Sequence, residues 1–287
     1  MKFSKLFVFS CLLVFTAIVC KAQTSSKQIT IGVTKEIRSE VLGENRQMNI
    51  YLPDAYRKED TTKYPVIYLL DGGVDEDFIH TVGLVQFNTF PWVNRMPKSI
   101  VVGIVNVDRK RDMTFPTSVK TDKEKYPTTG GAEKFIRFIE TELQPYIQKR
   151  YKTNGNKMLI GECLGGLLAT EILFTKPTLF NKYIIISPSL WWDNGSLLKK
   201  QMNLSASYPT DSIKIYISVG KEGLTPSEVP RIMEVDANLL AEKIRTVGNK
   251  NIDVQFDYLP DENHATISEQ ALMNAFRKLY AARRDGQ

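Results

Sequence analysis

The sequence is poor in cysteine and histidine: its 287 residues contain three cysteines and two histidines. Two of the cysteines, Cys11 and Cys20, lie in an apolar stretch near the N-terminus, so Cys163 is the one thiol in the rest of the chain. A single thiol forms no internal disulfide, which excludes a disulfide framework. We expect no metal site and no cofactor.

The sequence also lacks internal repeats, low-complexity tracts and dense runs of lysine and arginine. The formal net charge is +6, but the first 22 residues carry three lysines and no acidic residue, so the remainder carries +3. There is no basic stretch interleaved with aromatic residues, and a nucleic-acid partner is therefore not expected.

The N-terminus has the pattern of a secretory signal. Two lysines are followed by an apolar run at residues 6–19, which is short for a membrane span. A small-residue cleavage site then predicts a signal peptide at residues 1–22 and one large domain at residues 23–287. Lipidation of Cys20 is the alternative, and two bulky residues before it disfavour that outcome. We expect a secreted or periplasmic protein without stable membrane insertion.

Short apolar runs alternate with helical patterns along the chain. This alternation predicts an α/β fold with a mostly parallel central sheet and helices on both faces. The first two predicted strands are expected to form an antiparallel edge. The predicted strands are residues 29–33, 48–52, 66–70, 100–105, 157–160, 183–186, 213–219 and 254–259. The predicted helices are residues 132–149, 164–175, 236–247 and 267–284.

The most informative motif is Gly-Glu-Cys-Leu-Gly-Gly at residues 161–166, between a predicted strand and a predicted helix. A strand, a tight glycine-flanked turn and a helix are the context of a nucleophile elbow. The elbow holds its central residue in a strained turn, so small residues must lie two positions before and after it. Gly161 and Gly165 fill those places, and Cys163 stands where serine is usual.

Two simpler interpretations apply to the same motif. Some glycine-rich turns bind phosphate, but this one lacks the G-x-G-x-x-G spacing and the Walker lysine. A free cysteine also behaves as a small core hydrophobe. We favour the elbow because strand, turn and helix follow one another in the required order.

A thiol nucleophile needs a base within hydrogen-bond reach, and the base needs an orienting acid. In an α/β-hydrolase the histidine follows the last strand, which favours His264 over His80. The acid is expected after the strand at residues 213–219, where Glu222 is the first carboxylate. Competing carboxylates are Glu228, Glu234, Asp236 and Glu262.

Two backbone amides are expected to stabilise the oxyanion of the reaction. The amide of Leu164 follows the nucleophile at the start of a helix, where the helix dipole also favours negative charge. The second amide should come from the loop after an early strand, where Gly72 and Gly73 allow close backbone approach. A Gly-Gly pair is also common in ordinary turns.

Glu162 is next to the nucleophile and complicates its ionisation. Its negative charge disfavours a thiolate, whereas the helix N-terminus and a protonated His264 favour one. The balance depends on the direction in which Glu162 points.

Two long irregular stretches are expected, at residues 108–129 and 187–212. Both follow strands, so both are expected near the sheet edge where α/β proteins bind ligands. The second stretch contains Trp191 and Trp192. Adjacent large aromatics favour either core packing or a binding surface, and we predict substrate contact for both.

Six motifs follow one another along the chain. They are R-Q-M-N-I-Y-L-P at residues 46–53, Y-P-V-I-Y-L-L-D-G at 64–72, V-G-I at 102–104, R-K-R-D-M-T at 109–114, G-G-A-E-K-F at 130–135 and S-P-S-L-W-W at 187–192. Together they resemble the putative-esterase branch of the α/β-hydrolases, and most of all its siderophore-esterase-like members. That branch also includes S-formylglutathione hydrolases and feruloyl or acetyl xylan esterases. The resemblance implies the α/β-hydrolase fold, His264 as the base and Glu222 as the acid.

The elbow departs from the pattern of that branch, which is Gly-His-Ser-Leu-Gly-Gly. Here Glu162 replaces the histidine and Cys163 replaces the serine. Dienelactone hydrolases, which share the fold, also have a cysteine nucleophile.

We predict a secreted carboxylic-ester hydrolase in which Cys163 forms an acyl-thioester intermediate. The substrate is expected to be a small-molecule or carbohydrate-linked ester. The alternatives are a catalytically inactive binding protein that keeps the pocket, and an acyltransferase that passes the acyl group to an alcohol or amine. The oligomeric state is left open.

Overall fold

The computed structural model describes residues 26–280, with gaps at residues 55, 58, 60 and 203–211. The predicted signal peptide at residues 1–22 lies outside the described residues, as do residues 281–284 of the last predicted helix. The described residues from Ile31 onward form one compact unit. Within the described part of the chain, no helix has the length and apolar character needed to cross a bilayer.

An eight-stranded sheet runs through the described residues in the spatial order β1-β2-β4-β3-β5-β6-β7-β8. Strand β2 is antiparallel to both of its neighbours, and every pair from β4 to β8 is parallel. The mostly parallel sheet and its antiparallel edge are therefore confirmed. The strands are β1 Val33–Ser39, β2 Glu44–Tyr51, β3 Tyr64–Leu69, β4 Ile100–Ile104, β5 Thr153–Glu162, β6 Lys182–Ile186, β7 Ile213–Gly220 and β8 Ile252–Leu259.

Helices cover both faces of the sheet. In chain order they are α1 Phe78–Thr89, α2 Arg109–Met113, α3 Lys120–Lys125, α4 Ala132–Phe138, α5 Gln144–Arg150, α6 Leu164–Thr175, α7 Trp192–Lys199, α8 Met233–Thr246 and α9 Ile267–Leu279. A π-helical turn, Ile139–Leu143, joins α4 to α5. A short 3-10 turn, Pro177–Leu179, follows α6.

The core has two layers because successive side chains of a strand point to opposite faces. In β3, Tyr68 packs in the layer that contains α4, α6 and α8, whereas Ile67 packs in the layer that contains α1 and α9. The same alternation holds in β6, where Ile185 faces the first layer and Ile184 the second.

The first predicted strand, residues 29–33, is wrong: β1 begins where that run ends. The observed strand is polar, with Lys35 and Glu36 exposed. An edge strand has one pairing partner and tolerates such residues. The prediction relied on apolar runs and therefore selected the more apolar residues that precede β1. The connection to β2 is residues 40–43, because Glu44 already belongs to β2.

Four helices were not predicted. Helix α1 buries Phe78, Val82 and Val85 against the sheet at helical spacing. The other three, α2, α3 and α7, lie in the two stretches that were expected to be irregular. These stretches are therefore ordered in part, and they carry side chains toward the site.

Candidate active site

The residues that the sequence predicts for catalysis follow three strands of the parallel part of the sheet. β5 ends directly before Cys163, and β7 and β8 end shortly before Glu222 and His264. β5 to β8 are adjacent and parallel. The turns after these strands therefore meet at one edge of the sheet, the usual ligand-binding edge of an open α/β fold.

Cys163 lies in the turn between β5 and α6 with φ 56° and ψ −115°. This backbone conformation is unfavourable for a residue with a Cβ atom, and such strain is typical of functional turns. Glycines make the turn possible. A Cβ atom at Gly161 would lie 2.4 Å from the carbonyl oxygen of Gly165, and one at Gly166 would lie 2.9 Å from that of Ile186. The turn has the shape of a nucleophile elbow.

The structure brings His264 and Glu222 together. Nδ1 of His264 lies 2.5 Å from Oε2 of Glu222, which leaves Nε2 available to a second partner. The side chain of Glu222 is 4% exposed, whereas that of His264 is 45% exposed. A buried carboxylate therefore orients the imidazole, and the imidazole stays open to the cleft.

Glu222 accepts hydrogen bonds from two further donors. Its Oε1 accepts from Oγ of Ser187 and, at 3.1 Å, from the backbone N–H of Gly220. Burial raises the pKa of a carboxyl group, but the bonds from His264, Ser187 and Gly220 outweigh burial here and hold the pKa of Glu222 below its usual value. The carboxylate is therefore ionised at neutral pH.

The thiol of Cys163 lies 3.4 Å from Oγ of Ser189 and lines the same cleft as the imidazole of His264. Burial raises the pKa of the thiol, but hydrogen bonds with His264 and Ser189 and the charge of Arg109 outweigh burial and bring that pKa to about 7. Hydrogen bonds with Cys163 and Glu222 raise the pKa of His264 to about 10, against the effect of burial. Between these two values the pair is a thiolate and an imidazolium, which is the reactive form of a cysteine.

The competing carboxylates have other partners. Glu234 accepts from the backbone N–H groups of Glu222 and Gly223, at 3.0 and 3.1 Å. It therefore fixes the loop that carries Glu222. Asp236 forms an ion pair with an arginine of the loop before α8. Glu228 accepts a hydrogen bond from a threonine of α3. Of all the candidate carboxylates, Glu222 is the one whose side chain is bonded to the imidazole of His264.

Glu262 and His80 also lie apart from the thiol. The backbone carbonyl of Glu262 accepts from the N–H of Lys221 at 2.7 Å, which joins the loop of His264 to the loop of Glu222. The side chain of His80 is on α1, is 62% exposed, and has its Nδ1 3.6 Å from Oε1 of Glu269. His80 is thus a surface histidine.

The amides expected to bind an oxyanion differ in availability. Leu164 is the first residue of α6, so its N–H has no acceptor within the helix. Gly72 donates its N–H to the carbonyl oxygen of Ile104 at 2.9 Å, and Gly73 donates to Oε2 of Glu76 at 2.9 Å. In this conformation both glycine amides are already bonded to protein acceptors.

Arg109, at the start of α2, received no role in the sequence analysis. Its guanidinium donates two hydrogen bonds to Asp71, at 2.6 and 2.9 Å, and reaches the carbonyl oxygen of Glu162 at 3.4 Å. It also interacts with the charge of Cys163. The sequence feature that could have identified Arg109 is its place as the first residue of the R-K-R-D-M-T motif.

The two tryptophans have different environments. Trp192 is 1% exposed, and its indole N–H donates to the carbonyl oxygen of Phe115 at 2.8 Å. The prediction that Trp192 contacts substrate is therefore wrong. Trp191 lines the cleft beside Cys163. The backbone leaves helical geometry directly after Trp192, at residues 193–195. One indole enters the core there and the other faces the cleft.

A cleft of about 260 Å³ opens beside the thiol. Cys163, Ser189, Glu222 and His264 line its polar side. The apolar side is formed by Trp191, Leu224, Pro226 and Met233. An apolar cleft with a few convergent polar groups is typical of a small-molecule site.

Glu162 does not line this cleft; it lines a separate small cavity. Its carboxylate accepts a hydrogen bond from Oγ of Ser268, in the first turn of α9. Burial raises the pKa of Glu162 to about 7, and the bond from Ser268 offsets this only in part. The residue next to the thiol therefore titrates in the same pH range as the thiol.

The candidate site lies within a match to a known protein family. The profile of the family described as "Putative esterase" matches residues 39–266 of the chain. This range contains Cys163, Glu222 and His264.

Relatives cover nearly the same length. Ferri-bacillibactin esterase BesA of Bacillus subtilis is 29% identical over 275 residues, which are 91% of this chain and 94% of the relative. The crystal structure of an IroE-like serine hydrolase from Shewanella oneidensis shares 30% identity and covers 87% of this chain and 80% of its own, with a TM-score of 0.73. The BES protein from Bacillus cereus shares 30% identity, covers 88% and 97%, and has a TM-score of 0.75. These neighbours confirm the α/β-hydrolase fold.

Proposed function

Because the chain belongs to the putative-esterase family of carboxylic ester hydrolases, we propose that it cleaves its ester through Cys163, His264 and Glu222. The observation that carries this proposal is the pairing of the buried carboxylate of Glu222 with His264 in the cleft that Cys163 also lines. A cysteine with an adjacent imidazole, oriented by a third group, is the arrangement that nucleophilic catalysis requires.

In the first half-reaction, Sγ of Cys163 attacks the carbonyl carbon of the ester. The C–S bond forms as the carbonyl electron pair moves to oxygen, and the C–O bond to the alcohol then breaks. Nε2 of the protonated His264 gives its proton to the leaving alcohol oxygen. The product is an acyl thioester on Cys163.

In the second half-reaction, the now neutral His264 takes a proton from water, and the hydroxide oxygen attacks the thioester carbonyl. The C–S bond breaks and its electron pair returns to sulfur. The carboxylic acid leaves, and the thiolate–imidazolium pair is restored. Glu222 keeps Nδ1 of His264 protonated throughout, as its 2.5 Å contact with that nitrogen requires.

The donors proposed for the oxyanion are the N–H of Leu164 and the guanidinium of Arg109. The first has no acceptor within its own helix. The second is bonded to Asp71 and interacts with the charge of Cys163. Fixed donors of this kind stabilise charge that develops in the transition state. The amide of Gly73 joins them only if Glu76 releases it, because the two are hydrogen-bonded here.

The proposed substrate is a siderophore ester. The relative from Bacillus subtilis is named for ferri-bacillibactin, and two fungal relatives are named siderophore esterases. Esterolysis of ferric and iron-free trilactone siderophores should therefore exceed that of acetylated xylan, as measured by chromatography of the products. Faster release of acetate from xylan would point to a carbohydrate-linked ester instead.

Export to the periplasm or the medium is also part of the proposal. It rests on the signal-like pattern of residues 1–22. N-terminal sequencing of the exported protein should give Gln23 as the first residue. Retention of the full N-terminus would contradict a cleaved signal.

The first experiment combines hydrolysis of p-nitrophenyl acetate with iodoacetamide labelling, read by mass spectrometry of the peptide that contains Cys163. We expect labelling near neutral pH and a parallel loss of turnover. Cys163→Ala should lower kcat/KM by about 1,000-fold or more, because the bond-forming atom is removed.

The controls separate a nucleophile from a structural thiol. Cys163→Ser keeps the size of the side chain and restores the residue of the serine hydrolases, so its fold should be unchanged. Full turnover in Cys163→Ala would refute the mechanism. Labelling only at alkaline pH, with no turnover to lose, would favour a binding protein.

A further inference from the structure

Glu162 occupies an unusual place: it is the last residue of β5, next to the nucleophile, and its side chain is turned into a cavity outside the substrate cleft. The contact that holds it is the hydrogen bond from Ser268. Ser268 belongs to α9, the helix that begins three residues after His264. The carboxyl group of Glu162 thus joins the elbow to the element that follows the base.

We infer that Glu162 is a positioning residue: its buried carboxyl group fixes the elbow against α9 and competes with the adjacent thiol of Cys163 for negative charge, so that Glu162 sets the pH range over which the thiolate forms. The inference rests on the proposed role of Cys163 as the nucleophile. It goes further by giving a function to Glu162, which the proposed mechanism does not use.

The cavity around the carboxyl group is small, about 10 Å³, which is close to the room needed by one water molecule. Thr81 lines it, is fully buried, and its Oγ1 has no hydrogen-bond partner within the described residues. Ser268 supplies a second hydroxyl. Neutral donors in a cavity with little water stabilise an ionised carboxylate poorly, so the cavity favours the protonated form of Glu162.

The titratable groups that face Glu162 come from every element around it. Asp77 and His80 lie at the start of α1, and Glu269 lies in the first turn of α9. Cys163 follows it in the elbow, and His264 acts on it from the loop after β8. Asp77 and Cys163 oppose the ionisation of Glu162, and His264 and the bond from Ser268 favour it.

Glu162 and Cys163 therefore compete for a single negative charge. The pKa of each lies at about 7, and each charge disfavours the other. Two groups that interact in this way lose their protons in steps that belong to the pair. The thiolate should consequently appear over a wider pH range than one ionisation would span.

The test is the rate of iodoacetamide alkylation of Cys163 between pH 5 and 10, read by mass spectrometry. The wild-type profile should be too broad for a single ionisation. Glu162→Gln keeps an acceptor for Ser268 but carries no charge, so its profile should fit one ionisation with a midpoint about one pH unit lower. Ser268→Ala removes a donor that favours the ionised carboxylate, so its profile should move in the same direction by less.

Glu269→Gln is the matched control, because Glu269 lines the same cavity but its side chain is 53% exposed and paired with His80. Its alkylation profile should equal that of the wild type. A Glu162→Gln profile identical to the wild type, or an equal shift in Glu269→Gln, would overturn the inference. Alkylation is read without ester turnover, so an enzyme that labels but does not hydrolyse would refute the proposed function and leave this inference testable.

Discussion

Glu222 and Glu162 lie near Cys163 and are both withdrawn from solvent, yet their carboxyl groups ionise differently. Glu222 receives hydrogen bonds from a histidine, a serine and a backbone amide, and its pKa is lowered despite burial. Glu162 receives one hydrogen bond, from a serine, and burial raises its pKa to about 7. The number and charge of the donors, more than burial, therefore decide which carboxyl group is an anion.

A third glutamate extends the comparison. Glu171 lies in α6, is 8% exposed, and its Oε2 has no hydrogen-bond partner among the residues that the structure describes. Burial raises its pKa to about 7, although the charge of Lys200 acts in the opposite direction. Along the series Glu222, Glu162 and Glu171, the loss of donors takes the carboxyl group from an anion to a group that is partly protonated near neutral pH.

Among the changes that test this comparison, the largest expected effect comes from Glu222→Gln, which keeps the shape of the side chain and removes its charge. We expect kcat/KM to fall by about 100-fold, because the imidazolium loses the anion that stabilises it. The pKa of His264 should fall from its value of about 10, so the alkaline limit of activity should move to lower pH. The pH profile of kcat/KM measures both effects.

Glu262→Gln is the control for this substitution, since Glu262 lies two residues before His264 and does not contact its imidazole through its side chain in the described structure. It should retain the wild-type profile. An unchanged alkaline limit in Glu222→Gln would show that Glu222 does not act on the base.

A smaller effect is expected for Ser187→Ala, which removes one of the donors to Glu222. A hydrogen bond to a charged group contributes about 1.5–3 kcal/mol, but His264 and the amide of Gly220 remain. We expect kcat/KM to fall by roughly 3- to 10-fold. Ser39→Ala is a matched control, because Ser39 is also buried and donates to a glutamate, Glu142, at 2.5 Å in another part of the sheet. Equal losses in both variants would indicate a general effect of stability.

The smallest effect on activity, but a measurable one on stability, is expected for Glu171→Gln. The pKa of Glu171 is about 7 in the folded protein against the usual 4.5, so between these values the folded state binds more protons than the unfolded state. The wild type therefore loses stability as the pH rises through this window. Glu171→Gln should be more stable at pH 8 by about 1–3 kcal/mol, and the gain should shrink toward pH 4.5.

Urea unfolding at a series of pH values measures this difference, with kcat/KM as a control that should stay near the wild-type value. A variant that is less stable at pH 8 would show that Glu171 has an ionic partner in the folded state. Glu171 would then not be a buried carboxyl group without a charged partner, and the comparison would be limited to Glu222 and Glu162.

Much of the fold was readable from the sequence because buried parallel strands are continuous apolar runs. β3 and β6 have this character, and both were predicted within about two residues of their observed ends. β1 was misplaced because an edge strand needs few apolar residues. Helix α1 was missed although Phe78, Val82 and Val85 carry a helical spacing that a closer reading of the periodicity would have found.

The site was readable where chain order fixes position, as for His264 after the last strand. It was less readable where contacts join distant segments. The role of Arg109 depends on its bonds to Asp71, 38 residues away in the chain. The amide of Gly73 is available to an oxyanion only when the side chain of Glu76 adopts another rotamer. The environments of Trp191 and Trp192 depend on the local backbone conformation.

The left-handed turn at Cys163 also bears on protein engineering. A residue with a Cβ atom in such a conformation costs on the order of 1–3 kcal/mol, and glycine would relieve that cost. Selection for heat resistance alone would therefore reward the loss of the thiol, whereas selection for catalysis would retain it. A directed-evolution programme on this scaffold has to screen both properties together, since the sequence that suits this backbone best is one that cannot react.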